Sequence, residues 1–259
     1  MGINMKLSIL GCAGGIGGRE KWTTCLRLDE DILFDAGTGL ATLDMQALIK
    51  IDHLFLTHAH LDHVAGLALL VDAVQGKRSH PIIVHATQEV IAVLRQHLFN
   101  WHLWPDFGAI PSEQAPVLRW DALPLHTDLS IKGRTIYAAP VNHTSGSVAY
   151  LVSQAQAGFM FTGDMCSTPS LWKTLAARPQ IRQVIIDCSF SNAEADLAQR
   201  SLHFCPDSLL REVEQISQQM EFLIYHLKPG QEDLIMQELQ QPQARHQFSA
   251  LHSGDRLDF

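Results

Sequence analysis

The stretch His58-Ala59-His60-Leu61-Asp62-His63 gathers three imidazoles and a carboxylate into six positions, directly after the apolar run Leu54-Phe55-Leu56. Imidazole and carboxylate are ligands of zinc and related cations. Residues two apart in an extended segment project to the same side, so His58 and His60 reach one cation together. Asp62 and His63 are adjacent and open the following helix, where they face a second cation beside the first. The cluster has no charge-pairing pattern and little structural purpose of its own. One short loop thus supplies half of two metal sites.

The remaining ligands must come from the ends of other strands. His143 follows the strand-like run 138–141, Asp164 follows Phe161-Thr162-Gly163, and His226 follows the run 222–225. A single histidine at a strand end is more often an ordinary polar residue than a ligand. It is the loop at 58–63 that makes these three candidates. Asp164 is the natural bridge, since a carboxylate has two oxygens to share and an imidazole offers one free nitrogen.

The elements that position these residues alternate. Residues 6–10 read as a strand entering a glycine loop, Gly11 to Gly18, where backbone turns sharply or approaches a ligand closely. The helix that a dinucleotide fingerprint needs does not follow it. Runs 23–28 and 31–34 form a hairpin turning near Asp29-Glu30 and ending in Asp35-Ala36-Gly37. A helix over 40–49, a strand over 53–56, a helix over 64–75, a strand over 82–85 and a helix over 87–99 capped by Thr87 come next. Short strands fill the middle, at 117–120, 129–140 (turning at Lys132-Gly133), 148–152 and 159–162. The last third has strands at 183–187 and 222–225 and helices at 193–203, 209–220 and 232–239. Two halves, each with strands first and helices after, predict an α/β fold, a four-layer αββα sandwich, in one domain over residues 1–259.

Composition excludes several classes. A net charge of −8 works against gripping a long phosphate backbone, and Lys77-Arg78 is the only adjacent basic pair, so no nucleic-acid partner is expected. A small anionic substrate held by metal ions is compatible with that charge. Cys12, Cys25, Cys166, Cys188 and Cys205 are scattered and odd in number, which disfavours a disulfide framework or a cysteine-rich zinc knuckle. The apolar stretch 64–74 is too short to span a bilayer and contains Asp72, so no membrane span is expected. The opening MGINMKLSIL lacks the apolar segment and cleavage site of a secretory signal, which sets a cytoplasmic expectation.

The order His-x-His-x-Asp-His, then His143, Asp164 and His226, resembles the metallo-β-lactamase superfamily of dinuclear hydrolases. That resemblance implies His58, His60 and His143 on one ion, Asp62, His63 and His226 on the other, and Asp164 bridging. It also implies that Asp35, in Asp-x-Gly after an early strand, supports the ligand loop without binding metal. Aspartate rather than cysteine at 164 sets the chain apart from the antibiotic-hydrolysing lactamases, and Cys166 reads as a buried thiol. Further stretches resemble the class II cyclic-nucleotide phosphodiesterases: His60-Leu61-Asp62-His63-Val64-Ala65-Gly66, His97-Leu98-Phe99-Asn100 with Trp104-Pro105-Asp106, and His226-Leu227-Lys228-Pro229. Cys188-Ser189-Phe190 after Asp187 is similar to them too, whereas Val71-Asp72 departs from their usual pattern.

The implied activity is hydrolysis of 3′,5′-cyclic AMP or cyclic GMP to the 5′-monophosphate, by water activated between two divalent ions, with Asp62 and Asp164 as the catalytic carboxylates. The histidine-rich ligand set favours zinc, with manganese or iron as alternatives. Thr144, Ser145 and His252 are candidate substrate contacts. Trp101, Trp104 and Phe107 are either a hydrophobic plug under a long loop or a base-stacking platform. A homodimer is a family-level expectation. Three other readings share parts of the pattern. A tRNA 3′-processing endonuclease needs a basic arm, and a glyoxalase II-like thioesterase has no substrate motif here. A catalytically silent metal-binding interaction protein is disfavoured by seven intact ligand positions.

Overall fold

Three of the strands that lead into the candidate site residues are short, apolar and buried along nearly their whole length, the pattern of strands covered on both faces. The computed structural model describes residues 5–240 and 245–259; the first four residues of the opening stretch read for a secretory signal lie outside them. One sheet contains β1 (Lys6–Gly11), β2 (Cys25–Leu28), β3 (Ile32–Phe34), β4 (His53–Phe55), β5 (Ile82–Ala86) and β6 (Leu118–Ala122). The other contains β7 (Asp128–Ile131), β8 (Arg134–Pro140), β9 (Val148–Gln154), β10 (Ala157–Phe161), β11 (Ile181–Asp187), β12 (Glu221–Tyr225) and β13 (Gln247–Ala250). The last strand, β14 (Arg256–Asp258), returns to the first sheet beside β1.

Both sheets have the same sequence of pairings. In order β14-β1-β2-β3-β4-β5-β6, three antiparallel pairs are followed by three parallel ones, and β7-β8-β9-β10-β11-β12-β13 repeats that order. The expected likeness of the two halves is therefore present in topology. Helices α1 (Met45–Ile49), α3 (Leu67–Val74) and α4 (Gln88–His97) cover the first sheet, with the short α2 (Leu61–Val64) preceding α3. Helices α5 (Pro169–Ala176), α7 (Pro206–Val213) and α8 (Glu232–Leu239) cover the second, and α6 (Ala195–Ser201) precedes α7. The layers are helix, sheet, sheet, helix: the αββα sandwich.

Between the sheets, Phe34 and Phe55 meet Tyr150 at ring-centroid distances of 5.4 and 5.5 Å, with Phe159 and Phe161 alongside. Tyr150 also ties the sheets together with a polar contact. Its hydroxyl donates to the Leu56 carbonyl at 2.6 Å, and the Val148 N–H donates to the Thr57 carbonyl at 3.0 Å. The ligand loop is thereby fixed to the second sheet at its first residues. At the opposite end of the sandwich, Arg134 binds Asp29 and Asp31 at 2.8 and 2.7 Å, and Lys132 binds Asp31 and Asp52 at 2.8 Å.

Some element boundaries differ from the sequence reading. The helix expected over 40–49 is a 3₁₀ turn, Thr38–Thr42, followed by α1; Asp44 accepts the Ala47 N–H at 2.8 Å and starts a new helix there. The helix expected over 64–75 begins earlier, at Leu61, and breaks at Gly66, whose N–H donates to the Ala36 carbonyl at 2.7 Å. The helix expected over 209–220 ends at Val213. Strand β6 joins the first sheet rather than the second group of strands. Helix α5, with Pro169 in its first turn, and the edge strands β13 and β14 were not anticipated. No helix of the described residues is long and apolar enough to cross a membrane.

One polar chain lies inside the first sheet. His53 Nδ1 is 2.9 Å from His85 Nε2, His85 Nδ1 is 2.8 Å from Asp121, and the buried His85 ring stacks on Phe55 at 4.3 Å. Burial and the neighbouring His53 push the His85 imidazole down to about 4, against the pull of Asp121. An unfolded chain binds that proton more readily, so stability is full above the ordinary imidazole pKa of about 6.5 and is lost as pH falls toward 4. We expect the urea midpoint of the wild type to drop over this interval by more than that of His85→Phe; equal slopes would contradict the assignment.

Candidate metal centre

The candidate ligands lie just beyond the carboxyl ends of β4, β8, β10 and β12, where strands of open α/β sheets commonly deliver ligand-binding residues. The structure brings together all seven. His58, His60, His143 and Asp164 form one group, and Asp62, His63, Asp164 and His226 form a second, with Asp164 common to both. Asp164 Oδ2 is the centre of the cluster. It lies 3.7 Å from His58 Nε2, 3.3 Å from His63 Nε2, 3.9 Å from His143 Nε2 and 3.3 Å from His226 Nε2. His143 Nε2 is 3.2 Å from His60 Nδ1, and Asp62 Oδ2 is 3.1 Å from His226 Nε2.

These spacings fit metal coordination. Four donors about 2.0–2.1 Å from one ion in a tetrahedron stand roughly 3.3 Å apart, close to the separations seen here. His58 Nε2 and His63 Nε2 are also buried without a hydrogen bond, a cost that a protein seldom accepts unless something else takes the lone pair. Burial and the adjacent His63 hold the His58 imidazole well below its ordinary pKa, keeping it in the neutral form that ligation requires. Asp164 is buried too, but His226 and His63 outweigh that burial and hold it well below the carboxylate range. The donor set therefore suits one or more divalent cations.

His63, His143, His226 and Asp164 are each held by a partner on the far side, a common feature of metal sites. Asp35 accepts from His63 Nδ1 at 2.7 Å, from the Thr57 hydroxyl at 2.8 Å and from the Thr57 N–H at 2.8 Å. His143 Nδ1 donates to the Leu202 carbonyl at 3.1 Å. His226 Nδ1 is 2.8 Å from Ser189 Oγ, which in turn donates to Asp187 at 2.5 Å. The Tyr225 hydroxyl donates to Asp164 Oδ1 at 2.9 Å, leaving Oδ2 for the cluster.

The backbone around the site is tight. Asp35, Gly163 and His226 have φ of 56°, 60° and 62°, in the left-handed region. At Asp35 and His226 this costs on the order of 1–3 kcal/mol each. Each fully buried Phe contributes about 1.5–3 kcal/mol, so the aromatic core beneath offsets the strain. The glycine loop has a packing purpose here. A Cβ on Gly14 would lie 2.2 Å from the His226 carbonyl oxygen, and one on Gly163 would lie 2.8 Å from Thr57 Cβ.

Several functional candidates were missed or are placed differently. His203, on the link after α6, stacks on His226 at 5.2 Å and sits 4.9 Å from His143, with Nδ1 2.6 Å from Asp187. Burial opposes its charge, but Asp187 prevails and raises the His203 pKa above the ordinary value. Its position after the left-handed residue Leu202, between helices, gave no periodic signal in the sequence. Thr144 and Ser145 are exposed beside His143; the Thr144 hydroxyl is 2.9 Å from Ser147. His252 is not drawn into the cluster. It is exposed, 3.7 Å from Asp255, beside a different cavity of about 200 Å³ lined by Cys12 and Leu227. Cys166 is half-buried rather than buried, because its loop runs along a surface cavity. Phe107 is buried and Trp104 partly buried against the helices of the first sheet, as a plug, while Trp101 is 63% exposed.

The role of Asp35 is testable. Asp35→Asn keeps the side chain's shape but weakens its hold on His63, and we expect metal affinity to fall about 10–100-fold. Competition with a chromogenic chelator measures this; unchanged affinity would remove Asp35 from the account.

The chain is similar to several known proteins. A family model described as Beta-lactamase superfamily domain matches residues 30–226. A "Probable 3′,5′-cyclic-nucleotide phosphodiesterase" of Yersinia pestis is 30% identical over 246 residues, covering 81% of this chain and 68% of that protein. A "3′,5′-cyclic-nucleotide phosphodiesterase" of Aliivibrio fischeri is 25% identical over 183 residues, covering 63% and 53%. Other relatives carry nuclease names. The crystal structure of unliganded yeast PDE1 superposes with a TM-score of 0.83 at 18% identity, covering 99% of this chain and 100% of that one. That likeness bears on the fold. The matched family model spans both groups of ligands, and the chain belongs to the beta-lactamase superfamily, in its metallo-β-lactamase fold.

Proposed function

We propose that the protein is a dinuclear metal-dependent phosphodiesterase that hydrolyses 3′,5′-cyclic nucleotides to nucleoside 5′-monophosphates. The observation that carries this reading is the pairing of seven gathered ligands with an imidazole, His203, held by Asp187 at the edge of the cluster. In this reading His58, His60 and His143 would hold one ion, Asp62, His63 and His226 the other, and Asp164 would be shared by the two groups. Two divalent ions, zinc being favoured by the histidine-rich donors, would supply Lewis-acid polarisation of the phosphate and a nucleophile from water near neutral pH.

The chain's own residues supply orientation and a proton. Asp62 and Asp164 bring negative charge to the cluster, and Asp35, Ser189 and Leu202 keep the imidazoles facing it. Water oxygen adds to phosphorus, the bond from phosphorus to the ribose 3′-oxygen breaks, and that oxygen takes a proton from His203. The leaving alkoxide is a strong base, so general acid help is worth about 10²–10⁴-fold in rate. A thiolate leaving group needs far less help, which disfavours the thioesterase reading. A tRNA-processing nuclease shares the need for an acid, but its substrate calls for a basic surface, and this chain carries −8. The name of the Yersinia pestis relative supports the cyclic-nucleotide choice.

Metal-loaded protein should convert cyclic AMP or cyclic GMP to the 5′-monophosphate, resolved by chromatography from the 3′-isomer. Asp164→Ala and His60→Ala should abolish turnover and lower metal content; wild-type activity in either would refute the ligand assignment. His203→Ala should lose about 10²–10⁴-fold on cyclic nucleotides and much less on a p-nitrophenyl diester, whose leaving group departs without a proton. Equal losses on both would remove the acid role.

A further inference from the structure

A cavity of about 570 Å³ opens on the far side of His203, between α6, α7 and the loop after Asp164. Its size falls within the roughly 300–1,000 Å³ usual for small-molecule sites. Leu202 and His203 form the wall it shares with the metal centre: His203 lines the cavity and stacks on His226, and Leu202 lines it and holds His143 through its carbonyl. The cavity thus adjoins the metal centre across these two residues, on the side where His203 stands.

Its other walls carry recognition chemistry. The backbone of Asn142 is fixed by bonds to Thr168 and Cys166 at 3.0 Å, while its side-chain amide makes no hydrogen bond among the described residues. Arg211, exposed on α7, adds a guanidinium. The buried Glu212 is already committed, accepting from Trp172 Nε1 at 2.6 Å and from the Thr168 N–H at 3.0 Å, so it stiffens the wall and leaves the cavity to the other groups. An amide offers a donor beside an acceptor, matching the N6 and N7 edge of adenine; a guanidinium offers paired donors, matching O6 and N7 of guanine.

We propose that this cavity seats the purine nucleoside of the substrate, with Asn142 and Arg211 reading the base. The inference rests on the phosphodiesterase reading for one step. In a 3′,5′-cyclic diester both ester oxygens belong to one ribose, so a donor that reaches the 3′-oxygen has the nucleoside on its own side. His203 and the cavity are on that side.

Gln199, exposed on α6 and lining the cavity, allows a test without disturbing the core. In metal-loaded protein Gln199→Trp should raise KM for cyclic AMP and cyclic GMP about tenfold or more by filling the space. Its kcat/KM on methyl p-nitrophenyl phosphate should stay within about twofold, as for an ordinary surface change. Cys166, half-buried in the cavity wall while the other four cysteines are buried, gives a readout independent of turnover. Adenosine or guanosine 5′-monophosphate should slow its alkylation by a maleimide in the wild type and not in Gln199→Trp. Cyclic-nucleotide turnover with Cys166 unshielded and Gln199→Trp unaffected would overturn the cavity assignment and leave the activity standing. No turnover, with Cys166 still shielded by nucleotide, would overturn the activity and leave the nucleoside site standing.

Discussion

A single carboxylate oxygen, Asp164 Oδ2, has four imidazole nitrogens within 3.9 Å, and the rest of the site is arranged to make that possible. A buried carboxylate is costly unless charge or hydrogen bonds meet it. Tyr225 satisfies the other oxygen, and Gly163 lets the backbone turn where a side chain would strike Thr57. Thr57 in turn ties Asp35 to the ligand loop, and Asp35 aims His63 back at Asp164. The circuit closes on itself, so a change at any of these positions is felt at the others.

The repeated order of pairings explains why such a circuit lies between the sheets. Parallel strands from both halves end on the same edge, and the loops leaving them converge over an aromatic core that holds the sheets together. Ligands from β4 and its loop meet ligands from β8, β10 and β12 where Tyr150 and Val148 join the second sheet to Leu56 and Thr57. The outer helical layers cover the two sheets, and α6 with its link to α7 approaches the site itself.

Much of this was legible in the residues. Histidines and aspartates crowded into one loop carry a chemical signal that does not depend on boundaries, and with that loop in hand the strand ends offered His143, Asp164 and His226 as candidates. Asp35 drew notice only through the resemblance to the metallo-β-lactamase pattern, since a lone Asp-x-Gly after a strand does not itself say what the carboxylate holds. His203 was not legible, because nothing local marks a lone histidine between two helices; its meaning comes from Asp187, sixteen residues earlier and on a different element. Helix ends were misplaced where a tertiary contact decided them, as at Gly66 against Ala36 or at the capping carboxylate of Asp44. The edge strands β13 and β14 are short and only partly buried, so their apolar pattern is weak. His252 was picked for its residue type, and the fold placed it against a different cavity.

The central claim is that Asp164 bridges two ions. Anomalous diffraction at the metal edge, from crystals of the loaded protein, addresses it directly. The account predicts two peaks about 3.5–4 Å apart, with Asp164 in contact with both, His58, His60 and His143 around one, and Asp62, His63 and His226 around the other. One ion alone, or a pair that Asp164 does not join, would contradict it.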